Sequence, residues 1–416
     1  MDVGDYGGAH GRRTLAKALA LVAAVVLSVV AAALLWRTQV PDLALPDLAA
    51  EDYFPAALLD RIEDYRGTSR LLFFLSLATE IAVLALAVWK ARPLAARFER
   101  IGRGRVRTSV LVGLAVVAAG WLATLPFGAI SLSRRRDFGL SEQSWAGWLT
   151  DRLTALGLRA VLVSIAVAGA VWLAARFGPR WWLVGAPALG AIGVVFIVVQ
   201  PLVVQPLFNR FEPLDDRELT AEIEALAAGM GVEVDDVLVA DASRRTTTAN
   251  AYIAGLGPTR RVVLYDTLLD GRFSAGEIRF VTAHELAHVE RHHLWKGLAW
   301  FTLLAVPGVF GLAWLTNRYG GLGPRLVPLG LAFAFAYLLV TQPIGNAVSR
   351  RYETEADWLA LEATRDPESG TALDRNFVRT GLADPDPPGW VALWYATHPT
   401  PLQRIAMAEV WRDRRS

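Results

Sequence analysis

Two histidines and a glutamate carry the clearest chemistry in this chain: His284-Glu285-Leu286-Ala287-His288. On a helix, His284 and His288 stand about 40° apart around the axis and about 6 Å along it. Two imidazoles so placed can bind one tetrahedral Zn²⁺. Glu285 then lies beside the open position, where it can take a proton from an attacking water and return it to a leaving amine. The five-residue pattern is only moderately specific by itself, but the chain has just six histidines. His292 and His293 follow closely and read as interfacial polar residues rather than ligands. A catalytic zinc needs a third protein ligand and a free fourth position. Ten residues after His284, where one class of zinc protease has a histidine, stands Leu294. A downstream helical acid is the other common solution, and the stretch Ser349–Asp357 offers Glu353, Glu355 and Asp357. Glu353 and Asp357 are four apart and share a face, whereas Glu355 points away. One of the pair can ligate while the other orients a histidine.

These residues need a scaffold. Ser274 with Glu277 forms a capping box that opens the zinc helix, which runs through Arg291 toward the next apolar span. Before it, Leu214–Met230 has helical periodicity and stops at Gly231. Asp236–Ala240 reads as a strand, and Ala249–Ala254 with Arg261–Tyr265 reads as a hairpin around Gly255, Gly257 and Pro258. Val348–Ser416 reads as mostly helical, with a break at Asp384–Gly389. The catalytic residues thus sit in a small α+β module made of two polar segments.

The rest is apolar. Of 416 residues 54% are hydrophobic and only 20% charged, which excludes disorder and argues against an ordinary soluble domain. Seven candidate membrane spans follow: Ala18–Trp36, Leu71–Trp89, Ser109–Leu132, Arg159–Ala175, Trp181–Val204, Gly297–Leu315 and Leu326–Ala347. The first follows Arg12, Arg13 and Lys17, but its apolar core is too long for a signal peptide, so it reads as a retained span. The chain divides into an N-terminal membrane region, 1–204, with five spans, and a region carrying the metal motif, 205–416, with two more. Glu80 and Gln342 are polar residues at membrane depth and should face protein or a wet cavity. Cysteine is absent, which removes disulfides, a thiolate nucleophile and Cys-ligated zinc. A net charge of +2 gives no support to nucleic-acid binding. The loop from Lys90 to Arg107 has seven basic residues against Glu99, a cytoplasmic mark. Charge counting therefore puts the polar insert on the opposite side, although Arg134, Arg135 and Arg136 weaken the rule.

The motifs together resemble the integral-membrane zinc metalloproteases typified by the type I CAAX prenyl protease. Asp137-Phe138-Gly139-Leu140 to Asp151, Pro206-Leu207-Phe208-Asn209, Asn250-Ala251-Tyr252, Val263–Leu269, His284–His288, Ser349–Asp357 and Trp394–Pro399 with Arg404 match that family in order. The resemblance covers about 134–409 well and the first two spans by hydropathy alone. It implies His284, His288 and Glu353 as ligands of one zinc ion and Glu285 as general base. Asp357 would support a ligand from behind. The resemblance sets His398 and Arg404 as catalytic residues near the bound peptide or its oxyanion. Asn250, Ala251 and Tyr252 would form a substrate-binding edge strand. It further implies seven helices around a water-filled chamber capped by the module, and a cytosolic catalytic module, against the charge count. The chain is expected in the cell membrane, as a monomer. The eukaryotic insert between hairpin and zinc helix is nearly absent here, and Thr400 stands where a second proline is common. The expected function is a zinc endopeptidase acting on membrane-associated or CAAX-like peptides, lipidated or not. A quality-control protease with no lipid requirement is the nearest alternative. A seven-span transporter or receptor with a structural metal site is the alternative of another class. It would need internal symmetry or a fourth ligand, and the sequence offers neither.

Overall fold

The computed structural model describes residues 6–415, with side chains of the first helix described at Leu19 and from Val22 onward. The side chains of Arg12, Arg13 and Lys17 lie outside the described residues. In chain order the helices are α1 (Tyr6–Leu35), α2 (Ala50–Tyr53), α3 (Ala56–Trp89), α4 (Ala91–Gly102), α5 (Arg105–Asp137), α6 (Trp145–Phe177) and α7 (Trp182–Val199). Then come β1 (Phe211–Pro213), α8 (Arg217–Gly229), β2 (Asp236–Ala240), β3 (Ala251–Ala254), β4 (Arg261–Tyr265) and α9 (Ala275–Glu290). The chain ends with α10 (His293–Asn317), α11 (Val327–Thr364), α12 (Pro367–Gly381), α13 (Gly389–Trp394) and α14 (Pro401–Arg415).

Among the described residues six helices, α3, α5, α6, α7, α10 and α11, are long and apolar enough to span a bilayer, and Val22–Leu35 of α1 is a shorter apolar helix. Their outer faces carry large exposed apolar side chains such as Leu71, Val161, Leu338 and Val340. Water would penalise such faces; lipid does not. Several helices outrun the spans expected from hydropathy. α3 has 34 residues and α11 has 38, because each continues from the membrane into the polar module. Phe54 and Ile62, at and near the start of α3, pack with Leu140, Val378, Leu382, Leu402 and Ile405, which ties that end to the module. At the far end Leu94, Phe98, Trp181, Leu322 and Val327 pack together.

The module holds a four-stranded sheet in the order β1-β2-β4-β3. β2 and β4 are parallel, and β3 is antiparallel to β4 at the sheet's edge. β1 was not foreseen: three residues ending in Pro213 are too few to show alternation. Gly255 closes the β3–β4 turn at φ 90, where an added Cβ would meet Thr259 O at 2.1 Å, so only glycine fits. The sheet's inner residues Val262, Leu264 and Ala251 pack with Ile278, Val281 and Ala283 of α9 and with Ala360 and Leu361 of α11. That core fixes α9 against α11. The capping box is present: Ser274 Oγ accepts from Glu277 N, and Ser274 N donates to Glu277 Oε2 at 2.8 Å. α9 does not run on through Arg291 toward the membrane as expected. It ends at Glu290, and His292 adopts a left-handed conformation (φ 56, ψ 35) before α10 begins.

Candidate active site

α9 and α11 cross so that His284 and His288 face Glu353. Each residue offers one ligand atom, and the three atoms lie within 4.8 Å of one another. His284 Nε2 stands 3.1 Å from His288 Nε2 and 3.1 Å from Glu353 Oε2, and His288 Nε2 stands 3.6 Å from Glu353 Oε1. Asp357, one turn beyond Glu353, accepts from His284 Nδ1 at 2.7 Å. With a metal bound, that contact would keep the His284 proton on Nδ1 and turn the Nε2 lone pair toward the ion. Two imidazole nitrogens and a carboxylate oxygen this close need a proton or a metal cation between them. Ligands about 2.0–2.1 Å from a tetrahedral ion stand about 3.4 Å apart, close to these separations. The donor set of two nitrogens and one oxygen therefore fits a divalent metal, and it matches the ligand types of catalytic zinc.

Glu285 is half-buried beside this triad. Burial pushes its carboxyl above the ordinary range, the direction a general base near neutral pH requires. Glu285, His288 and Glu353 line one cavity of about 580 Å³ together with Ile253 from β3, Trp300 and Phe301 from α10, and Val348 from α11. The far end of the edge strand thus borders the same space as the triad. Asn250 is exposed just before β3, and its carbonyl accepts from Tyr265 N at 3.0 Å. Ala251 is buried on β3 and Tyr252 partly so.

The C-terminal pair behaves unequally. His398 Nε2 lies 3.2 Å from Glu353 Oε2, with a side chain 57% exposed. Arg404 is largely buried and does not line the cavity. Its guanidinium gives Nη2 to Asp357 Oδ1 at 2.6 Å and Nη1 to Asp374 Oδ1 at 3.2 Å, in a buried layer behind His284. Two carboxylates thus already hold the charge that the resemblance sets near an oxyanion. Asp374, on α12, is buried, and desolvation pushes its carboxyl up to about 7 although Arg404 opposes this. Nothing in the sequence singles it out, since one acid on a polar helix reads as surface.

A further departure concerns His293. His293 is not interfacial; it is buried against His288, and Glu355 is fully buried behind it. No short-range spacing signals this, because the helix break at His292 creates it.

Two family models cover almost the whole chain: residues 213–412 match peptidase family M48, and residues 44–210 match the CAAX prenyl protease N-terminal region of five membrane helices. A protein of Bacillus subtilis (strain 168) named as the uncharacterized metalloprotease YhfN is 30% identical over 299 residues, 69% of this chain and 70% of that protein. The chain belongs to peptidase family M48. A CAAX prenyl protease 1 homolog of Oryza sativa subsp. japonica is 28% identical over 69% of this chain and 70% of its own length. The crystal structure of S. mikatae Ste24p superposes with a TM-score of 0.78 at 19% identity, covering 93% of this chain and 97% of that one. That likeness is one of fold. The M48 chain is a multi-pass membrane metalloprotease of the CAAX prenyl protease type, as the resemblance implied. Family membership implies a metal; the transporter or receptor alternative falls away.

Proposed function

We propose that this chain is a zinc endopeptidase in which His284, His288 and Glu353 hold the metal and Glu285 moves the proton. The observation that carries the reading is the facing of three lone-pair donors beside a half-buried glutamate. Zinc held there would supply Lewis acidity toward a peptide carbonyl and toward water at neutral pH. Glu285 takes the proton from the attacking water and passes it to the leaving amine. Its raised affinity for protons suits both halves of that task. His398 is exposed enough to turn from Glu353 and donate to the oxyanion that forms on the carbonyl. Arg404 acts one step back, fixing Asp357, which in turn fixes His284.

The substrate segment lies extended along β3. Asn250, Ala251 and Tyr252 lie on the outermost strand stretch, whose main-chain groups not taken by β4 face the sheet's edge, and strand addition of this kind accepts varied side chains. The adjoining cavity, walled by Ile253, Trp300, Phe301 and Val348, takes an apolar side chain next to the scissile bond. All proposed catalytic groups come from one chain, so a monomer suffices. No step requires a prenyl group. The substrates we infer are extended segments of membrane-tethered proteins, lipidated or not. Paired peptides of equal sequence, with and without a farnesyl group, test this in nanodiscs: similar turnover supports it, and strict dependence on the lipid contradicts it.

The two ends of the bundle differ in charge. At the far end Lys90–Arg107 carries seven basic residues and one acid, and among the described residues Arg92, Arg97, Arg100, Arg103 and Arg107 are exposed with no ion pair. At the module's end the arginines that weakened the charge rule are engaged. Arg134 pairs with Asp64 at 3.1 Å, Arg135 donates to Leu140 O, and Arg136 donates to Gln143 O. Free arginines in short loops resist export. We infer that the far end is cytoplasmic and the catalytic module faces the other side, reversing the placement taken from the resemblance. The chain has no cysteine, so Glu222→Cys and Arg97→Cys each add a single thiol. A membrane-impermeant maleimide on intact cells should label the first and spare the second; the reverse pattern would restore a cytoplasmic module.

A further inference from the structure

His284 is held by a carboxylate directly, but His288 has none beside it. Its Nδ1 instead lies 2.9 Å from Nδ1 of His293. On an unbroken helix the residue five positions on would stand about 140° around the axis. The left-handed His292 turns the chain so that His293 comes back onto His288. The His293 ring stacks on Tyr352, centroids 4.6 Å apart and planes 9° apart, and its Nε2 lies 2.9 Å from Glu355 Oε2. Glu355 is fully buried and its charge is answered from several directions. Arg291 Nε lies at 3.1 Å, Lys296 Nζ at 3.9 Å, and the backbone N–H of Gln39 donates to it at 2.7 Å.

Proton counting then fixes the tautomers. Two facing Nδ1 atoms share one hydrogen, so one ring donates and the other accepts. If His293 donated, its Nε2 would set a lone pair against the Glu355 carboxylate. With the hydrogen of His293 on Nε2, that ring donates to Glu355, its Nδ1 accepts from His288, and His288 Nε2 is left bare toward Glu353. With a metal among His284, His288 and Glu353, this assignment satisfies every contact. We propose that His293 and Glu355 form a relay that sets the tautomer and ring orientation of His288, as Asp357 does for His284. Both are positioning residues. α11 thus supplies three acids with three jobs: Glu353 to the donor point, Asp357 to one histidine directly, and Glu355 to the other through an imidazole. The inference rests on the metal reading above.

The test is metal affinity rather than turnover. His293→Phe keeps a ring on Tyr352 and removes the acceptor, so zinc affinity by competition with a chromophoric chelator should fall about 10–100-fold. The visible spectrum of the Co²⁺-loaded variant should change with it, which a role in folding alone would not cause. Glu355→Gln retains an oxygen acceptor and should bind nearly as the parent does. Glu355→Leu should lower affinity, and adding it to His293→Phe should cost nothing more. Should Glu355→Leu fail to fold, His293→Phe decides, since it leaves the other partners of Glu355 in place. His284→Ala separates the two readings: if it binds zinc like the parent, the metal site itself is misassigned. If it loses zinc while His293→Phe binds and absorbs like the parent, the relay is wrong.

Discussion

Arg404 offers a sharp test of how the rear of the site is built. It places one guanidinium between Asp357 at 2.6 Å and Asp374 at 3.2 Å, with side chains 13%, 3% and 6% exposed respectively. Arg404→Met keeps most of the volume and removes the charge. Two carboxylates are then buried together with nothing between them, and at least one must take up a proton. Removing one partner of a buried pair costs about 3–5 kcal/mol, because the other charge stays behind uncompensated. For a unit of 150–250 residues, the size of the module, each kcal/mol moves the melting temperature by about 2–4 °C. A fall of roughly 6–20 °C is expected, the product of those two ranges. The assay is intrinsic tryptophan fluorescence of purified protein in detergent at pH 7 and fixed scan rate. Arg404→Met combined with Asp374→Leu should recover a large part of the loss, since it removes one stranded carboxylate. A melting temperature within a degree of the parent would refute the reasoning and return Arg404 to a substrate-facing role.

Asp374 adds a pH signature. Its carboxyl sits at about 7 in the fold against an ordinary 3.8, with Arg404, Asp357 and His284 as its charged neighbours. A group raised on folding stabilises below its unfolded value and loses that contribution as pH rises through the folded one. Metal-free protein should therefore lose on the order of 4 kcal/mol at most between pH 4 and 7 from this group. Melts of Asp374→Asn across that range should be flatter than the parent's; parallel curves would remove the claim. Glu353→Ala should lower bound metal measured by atomic absorption, because it takes one of three donors. His398→Ala should keep the metal and lose about 2.7–4 kcal/mol of catalysis if its ring donates to the oxyanion; loss of metal first would make it a support for Glu353.

What the sequence makes legible here is what lies within one turn or one hairpin. His284 and His288 are a spacing, Ser274 with Glu277 is a spacing, and the β3–β4 turn is signalled by Gly255, Gly257 and Pro258. The third donor is readable as a choice among Glu353, Glu355 and Asp357, and the fold resolves their faces as helical geometry requires. The helix break is not readable, since His292 is a non-glycine residue in a left-handed conformation and apolar periodicity runs straight through it. Everything that depends on that break, above all His293 against His288, stays hidden. The role of Arg404 is hidden for another reason. Its position near the site is local information, but its direction is set by Asp374 on α12, whose burial depends on how α12 packs on α9 and α14.

The central claim is that Glu285 moves the proton at a metal held by its neighbours. Glu285→Gln is nearly isosteric and leaves all three donors untouched. Purified Glu285→Gln, loaded with zinc and assayed for metal content alongside release of fragments from a membrane-tethered peptide, tests it most directly. The account predicts parent-like zinc content and a loss of turnover of about 10²–10⁴-fold. Parent-like turnover with zinc bound would contradict it.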